Sequence, residues 1–234
     1  MSYQEFRPGS FQSIPPVVKN ILIINVVLFV AKIVFANKFS LDTYLDLHYY
    51  KSDLFKPYQF ITYMFMHADI THIFFNMFGV YMFGSILERT WGAKRFLNYY
   101  LITGLGAAAA QYIMFYFEIN SYVEKFAAQG LTNAPDYEDT MRMIYDSMVC
   151  LGASGALFGL LGAFAMMFPN TQLQIYFFIP MKAKYFVILY GAAELIYGVS
   201  NVQGDNVAHF AHLGGLVVGL IIMLIWRKNR NFFY

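Results

Sequence analysis

Ser154 stands in the run "GASG" at residues 152–155, at the head of "VCLGASGALFGLLGAF", a stretch otherwise suited to lipid. Each glycine in a helix interior costs about 1 kcal/mol relative to alanine, so a hydroxyl framed by glycines at this point asks for a use. Serine is a nucleophile only with a base beside it, and histidine is the usual base near neutral pH. The chain offers His212 in "AHFAHLGG", and His72 with Asn76 in "HADITHIFFNMFG". His72 and Asn76 are four residues apart and share one helix face. His212, Gly215 and Gly219 fall at i, i+3 and i+7, which puts the histidine at the top of a glycine stripe. Small stripes let membrane helices approach closely, and Gly155 and Gly159 offer a matching surface beside Ser154. Two such helices in contact bring Ser154 within hydrogen-bond reach of His212. Gly152 and Gly155 permit a tight turn and leave room for an approaching chain. A helix starting at Ser154 presents free N–H groups and a positive dipole end. Together with His72 and Asn76 as donors, that is the equipment for stabilising an oxyanion.

The elements that must position these residues are membrane helices. Of 234 residues, 59% are hydrophobic and 13% charged, against about 25% charged in soluble domains. The reading is an all-α polytopic membrane protein with six spans: 17–36, about 70–88, 95–117, 151–168, 183–200 and 208–226, each near the ~20 residues a bilayer requires. Residues 1–16 form a tail, 17–226 the membrane domain and 227–234 a basic tail. The polar, proline-bearing start and the absence of a small-residue cleavage site predict no removable signal peptide. Cys150 is the only cysteine, which excludes an internal disulfide and a cysteine-rich metal site. Lys and Arg cluster at 7, 19, 89, 94, 95, 182, 184, 227, 228 and 230, whereas the opposite loops hold most of the acids. The positive-inside rule then puts both termini in the cytoplasm, with Trp91 and Trp226 at the interface. Residues 37–66 suit a segment lying in the outer interface, and 118–148 read as a polar, solvated outer loop. Depth converges too. Ser154 lies 14 residues from Phe168, His212 lies 14 from Trp226, and Asn76 and His72 lie 12 and 16 from Glu88, so all four sit about 18–24 Å above the cytoplasmic ends.

Polar groups on three helices share a level when they meet, and this weighs against mere packing for Ser154 or a stray interhelical hydrogen bond for His72 and Asn76. His67 anchors the loop end or supports the site, and His209 neighbours His212 nearer solvent. Glu194 reads as an internal hydrogen bond and not a catalytic group; Phe158 packs on the histidine ring or in the core; His48 is a loop residue. A metalloenzyme built on His67, His72, His209 and His212 would leave Ser154 and its glycines without a purpose, and the HExxH signature is absent. A transporter would be expected to show paired, broken repeats, and none is evident.

The blocks "TYMFMHADITHIFFNMFGVYMFGSILERTWG", "GASGALFG" and "AHFAHLGGLVVG", in that order, resemble the signature blocks of the rhomboid intramembrane serine proteases, and the resemblance runs from about residue 56 to 226. It implies a six-helix bundle in which Ser154 is the nucleophile and His212 the general base of a dyad without a third acid. It assigns the oxyanion to His72, Asn76 and the Ser154 backbone N–H. His67 and Glu88 match positions the family fills, the latter structural; Gly152, Gly155 and Phe158 support the site. Two departures stand out: Tyr58-Gln59 replaces Trp-Arg in the first outer loop, and Phe158 replaces a tyrosine, keeping the ring. The expected activity is hydrolysis of peptide bonds in or beside transmembrane segments of single-span proteins, in a cytoplasmic (inner) membrane. No metal, cofactor or nucleic acid is expected. A non-catalytic membrane chaperone on the same scaffold is the alternative.

Overall fold

The computed structural model describes residues 13–175, 179–200 and 208–228. Its frame is helical. The first span, α1 (Pro16–Phe35), starts where Pro16 can give up an N–H that a helix leaves unpaired in any case. The next N–H groups, of Val17 and Val18, donate to the buried Glu88 carboxylate at 3.0 and 2.8 Å. Glu88 therefore caps α1 from another helix, the structural part expected of it.

Two short helices, α2 (Leu41–Leu45) and α3 (Gln59–Thr62), shape the first outer segment. Helix α4 (Ile70–Gly79) continues through a π-helical turn, Val80–Gly84, into α5 (Ser85–Trp91), so that Ile70–Trp91 is one span. Gly92, at φ +80°, breaks it from α6 (Ala93–Ala128). After α7 (Tyr137–Ser147) come α8 (Ser154–Met167), α9 (Ala183–Ser200) and α10 (His209–Lys228). The strand pair β1 (Leu47–His48) and β2 (Val149–Cys150) is antiparallel, and so is the hairpin of β3 (Gln172–Ile175) and β4 (Ile179–Lys182).

The chain is a multi-pass helical membrane protein. Among the described residues, α1, Ile70–Trp91, α6 and α10 are long and apolar enough to cross a membrane. Helix α8 is apolar but has only 14 residues, about 21 Å, and α9 carries Lys184 and Glu194. These two complete the six helical segments expected, with bounds within a few residues except at the outer end of α6. The outer region differs from expectation. Instead of ending near 117, α6 runs to Ala128, and Tyr137–Ser147 is helical as well, so that much of the stretch 118–148 read as a loop is helix. Glu118, Glu124 and Lys125 end the hydropathy of α6 without ending its helix propensity, because Glu, Lys and Ala are good helix formers.

Helix α6 packs on α8 and α10 through small residues. A Cβ on Gly215 of α10 would run into the Gly155 carbonyl of α8, 2.7 Å from its carbon. One turn below, a Cβ on Gly219 would stand 3.0 Å from the Gly159 Cα. Tyr99 of α6 donates its hydroxyl to the Gly159 carbonyl at 2.8 Å. The two glycine stripes of the sequence are thus one seam.

Candidate active site

Four elements meet at the outer end of this seam. Ser154 is the first residue of α8, and its position is fixed from before. Strand β2 holds Val149–Cys150 against β1, the Gly152 N–H donates to the Tyr63 carbonyl at 2.9 Å, and the Tyr63 hydroxyl donates to the Gly104 carbonyl at 2.6 Å. Gly152 turns the chain into the helix at φ +122°, where side chains are strained. A Cβ there would also stand 2.9 Å from His72 Nε2 and 3.5 Å from Ser154 Oγ. Glycine thus keeps open the space that His72 and Ser154 both border.

His212, in the first turn of α10 and 8% exposed, brings Nε2 to 2.7 Å from Ser154 Oγ. Its ring lies flat on Phe158, one turn below Ser154, with centroids 4.5 Å apart and planes 6° from parallel. The stack keeps the face-on contact with no need for a hydroxyl. On its other edge, His212 Nδ1 is 2.8 Å from Glu194 Oε2, and the same oxygen is 2.6 Å from His209 Nδ1. The internal hydrogen bond expected of Glu194 is therefore made, but to the histidine that faces the serine. The resemblance implied no carboxylate there.

The other two donors lie on α4. His72 Nδ1 accepts from the Ala68 N–H at 3.4 Å, which leaves the ring proton on Nε2, facing the space at Gly152. Asn76 is 4% exposed and its Nδ2 has no hydrogen-bond partner among the described residues. A buried donor without an acceptor costs about 1–3 kcal/mol, and it leaves the Asn76 amide free to bind an acceptor brought to this space. Asp69 caps α4 by accepting from the His72 N–H at 2.9 Å, which fixes the turn carrying both residues.

His67, just before α4, is 1% exposed and packs edge-on against the His72 ring at 4.9 Å. Burial and then the neighbouring His72 push its imidazole down to about 3, so it is a neutral packing partner. Its carbonyl accepts from Lys32 Nζ at 2.9 Å, tying α1 to the site. Glu194, His209 and His212 have their ligating atoms within 4.8 Å of one another and the right chemistry for a metal ion. The imidazole–carboxylate distances are those of hydrogen bonds, and these account for the cluster. His48 is a strand residue, 4% exposed.

Gln59, at the departure in the first outer loop, is fully buried. Its Oε1 accepts from the His48 and Lys56 N–H groups at 3.3 and 3.1 Å, and its Nε2 donates to the Tyr44 and Leu54 carbonyls at 3.1 and 3.0 Å. Nothing in the sequence marks this glutamine as a hub, since its four partners are all main-chain groups. Tyr58 beside it is exposed.

Fold and site define a helical membrane protein with a serine–histidine pair enclosed between close-packed helices. The chain belongs to the rhomboid family, whose domain model matches residues 55–229. It is 31% identical over 218 residues to RHOMBOID-like protein 12, mitochondrial, of Arabidopsis thaliana, covering 92% of this chain and 59% of that one. With Rhomboid protease AarA of Providencia stuartii it shares 27% over 172 residues, 70% of this chain and 53% of that one. With Rhomboid protease GlpG of Haemophilus influenzae it shares 24% over 195 residues, 82% and 83% of the two chains. The chain thus spans little more than half the length of the first two.

Proposed function

We propose that this chain is an intramembrane serine endopeptidase that cleaves membrane-spanning segments of other proteins. The observation that carries the reading is the 2.7 Å approach of His212 Nε2 to Ser154 Oγ. His212 takes the Ser154 proton as Oγ attacks the scissile carbonyl. The oxyanion forms against the Ser154 backbone N–H at the start of α8, His72 Nε2–H and Asn76 Nδ2. His212 then passes its proton to the leaving amine, and water activated by the same imidazole releases the acyl group, restoring Ser154.

Helix α8, about 21 Å long in a core about 30 Å thick, supports a cleavage site roughly 9 Å below the outer edge. An intact substrate helix cannot react there, because its carbonyls are bonded within the helix and its side chains shield them. Substrates are single-span proteins whose outer segment unwinds readily, with a small residue on the acyl side of the cut. The distribution of Lys and Arg supports both ends lying on the cytoplasmic side of a cell membrane.

The test is the purified protein with a fluorophosphonate probe and a single-span model substrate. Ser154→Ala and His212→Ala are each expected to abolish labelling and cleavage while the protein stays folded. Labelling of Ser154→Ala at the wild-type level overturns the assignment. EDTA is expected to leave activity intact; inactivation reversed by zinc would favour a metal at Glu194, His209 and His212.

A further inference from the structure

Glu194 sits where α9 crosses the first turn of α10, 5% exposed, and it is not part of the serine–histidine pair. Its Oε2 stands 2.8 Å from His212 Nδ1 and 2.6 Å from His209 Nδ1. A carboxylate oxygen only accepts, so each imidazole faces it with an Nδ1–H. In neutral imidazole the second nitrogen is then the acceptor. For His212 that nitrogen is Nε2, the one at Ser154 Oγ.

We propose that Glu194 is a positioning residue for the reaction: by accepting the Nδ1–H of His212, it selects the tautomer whose Nε2 receives the serine proton. The role rests on the hydrolase reading above. The carboxylate also holds the ring by one edge while Phe158 holds its face, so two constraints at right angles fix its orientation. His209 supplies a second Nδ1–H to the same oxygen and stacks on Tyr197 at 5.9 Å, steadying the carboxylate. Once His212 carries the serine proton, the negative charge beside it stabilises the imidazolium. Among the described residues, the other titratable groups around this ring are His209 on its own helix, Ser154 of α8, and His72 of α4.

The test compares wild type with Glu194→Gln and Glu194→Ala in the full chain, using substrate cleavage across pH, thermal unfolding and the number of sites labelled by fluorophosphonate at completion. Glutamine offers both an acceptor and a donor, so it no longer enforces the tautomer. The expected result for Glu194→Gln is a kcat lower by about a hundredfold per labelled site, with KM within about twofold. The acidic limb of kcat/KM is expected at lower pH, because the charge that favours the imidazolium is gone. A packing role alone would lower the number of labelled sites and the unfolding temperature and leave the profile in place. Wild-type turnover per labelled site in Glu194→Gln, or an unmoved acidic limb, overturns the role of Glu194 while leaving Ser154 and His212 standing. Failure of wild type to label at Ser154 overturns the hydrolase reading, and this role with it.

Discussion

The seam of α6, α8 and α10 and the first outer segment, residues 37–66, position the same site by opposite means. Along the seam there is almost nothing to hydrogen-bond. Gly155, Gly159, Gly215 and Gly219 bring backbones together, and Ser154 meets His212 because no side chain keeps the helices apart. The outer segment is held by buried polar groups: Gln59 with four main-chain partners, β1 against β2, and Ser52 Oγ donating to Asp146 at 2.5 Å. Contact fixes distance to a fraction of an ångström but tolerates no added atom. A hydrogen-bonded hub tolerates nearby change in size, yet fails when its one polar side chain is lost.

The largest effect should come from adding atoms to the seam. Gly215→Val places a branched side chain into the Gly155 backbone, which has no rotamer to yield. Overpacking commonly costs about 1–3 kcal/mol, and more where backbone must move. We expect loss of both probe labelling and substrate cleavage, with a lower unfolding temperature. Gly191→Ala on α9 is the control, since among the described residues its Cβ would meet only Leu216 Cδ2, at 3.1 Å, the end of a flexible side chain. Near-equal losses in the two variants would break the comparison.

Asn76→Ala tests the site at the top of the seam without disturbing packing. Removing one oxyanion donor typically lowers kcat by about 10²–10³. The unfolding temperature should stay level or rise, because Asn76 Nδ2 is buried without a hydrogen-bond partner among the described residues. A fall in kcat/KM that comes wholly from KM would make Asn76 a substrate contact instead. In the outer segment, Gln59→Leu strands the His48 and Lys56 N–H groups and the Tyr44 and Leu54 carbonyls. At about 1–3 kcal/mol for each group that stays unpaired, a destabilisation of about 3 kcal/mol is expected by thermal or denaturant unfolding. Turnover per labelled site should change much less than the stability does.

The same contrast explains what the sequence could reveal. Small residues at helical spacing announce a seam, because periodicity is local, and the depths of Ser154, His212, His72 and Asn76 follow from counting along apolar runs. The site geometry was legible to that extent. Gln59 was not, since a hub bonded to main chain leaves no pattern in its partners' side chains. Glu194 was legible only in kind. Its burial in a span implied a hydrogen bond, but its partners are 15 and 18 residues away on the next helix, where register depends on how α9 and α10 pack. The outer stretch of α6 runs past the end of its apolar run because hydropathy marks where lipid ends, and helix propensity does not stop there.

The smallest effect over any one step of the measurement, a single pH unit, is a pH-dependent one in the outer segment. Asp46 is 4% exposed, and its Oδ1 has no hydrogen-bond partner among the described residues. Burial, reinforced by Asp42 and opposed by Lys32, pushes its carboxyl up to about 8. Lys32 is engaged with Asp42 at 3.0 Å, so it compensates Asp46 only in part. Nearby, burial and then Asp46 push the Cys150 thiol up to about 12, and that group stays neutral across the range of interest. The native state therefore keeps the Asp46 proton between its ordinary value near 3.8 and about 8, while the unfolded chain gives it up. Where the native state binds more protons, stability falls as pH rises. The stabilisation is whole below about 3.8 and is lost through about 8, with a slope of at most about 1.4 kcal/mol per pH unit. Asp46→Asn keeps the neutral form at every pH and removes that slope. Wild type and variant should be closest near pH 4, with the variant gaining by about 2 kcal/mol between pH 6 and 7.5 and no further above about 8. Unfolding curves measured at those pH values in one detergent would show it. A constant difference across the series would mean that Asp46 is ionised in the folded protein, and the outer segment would then hold a buried charge where a neutral hydrogen-bonding group is expected.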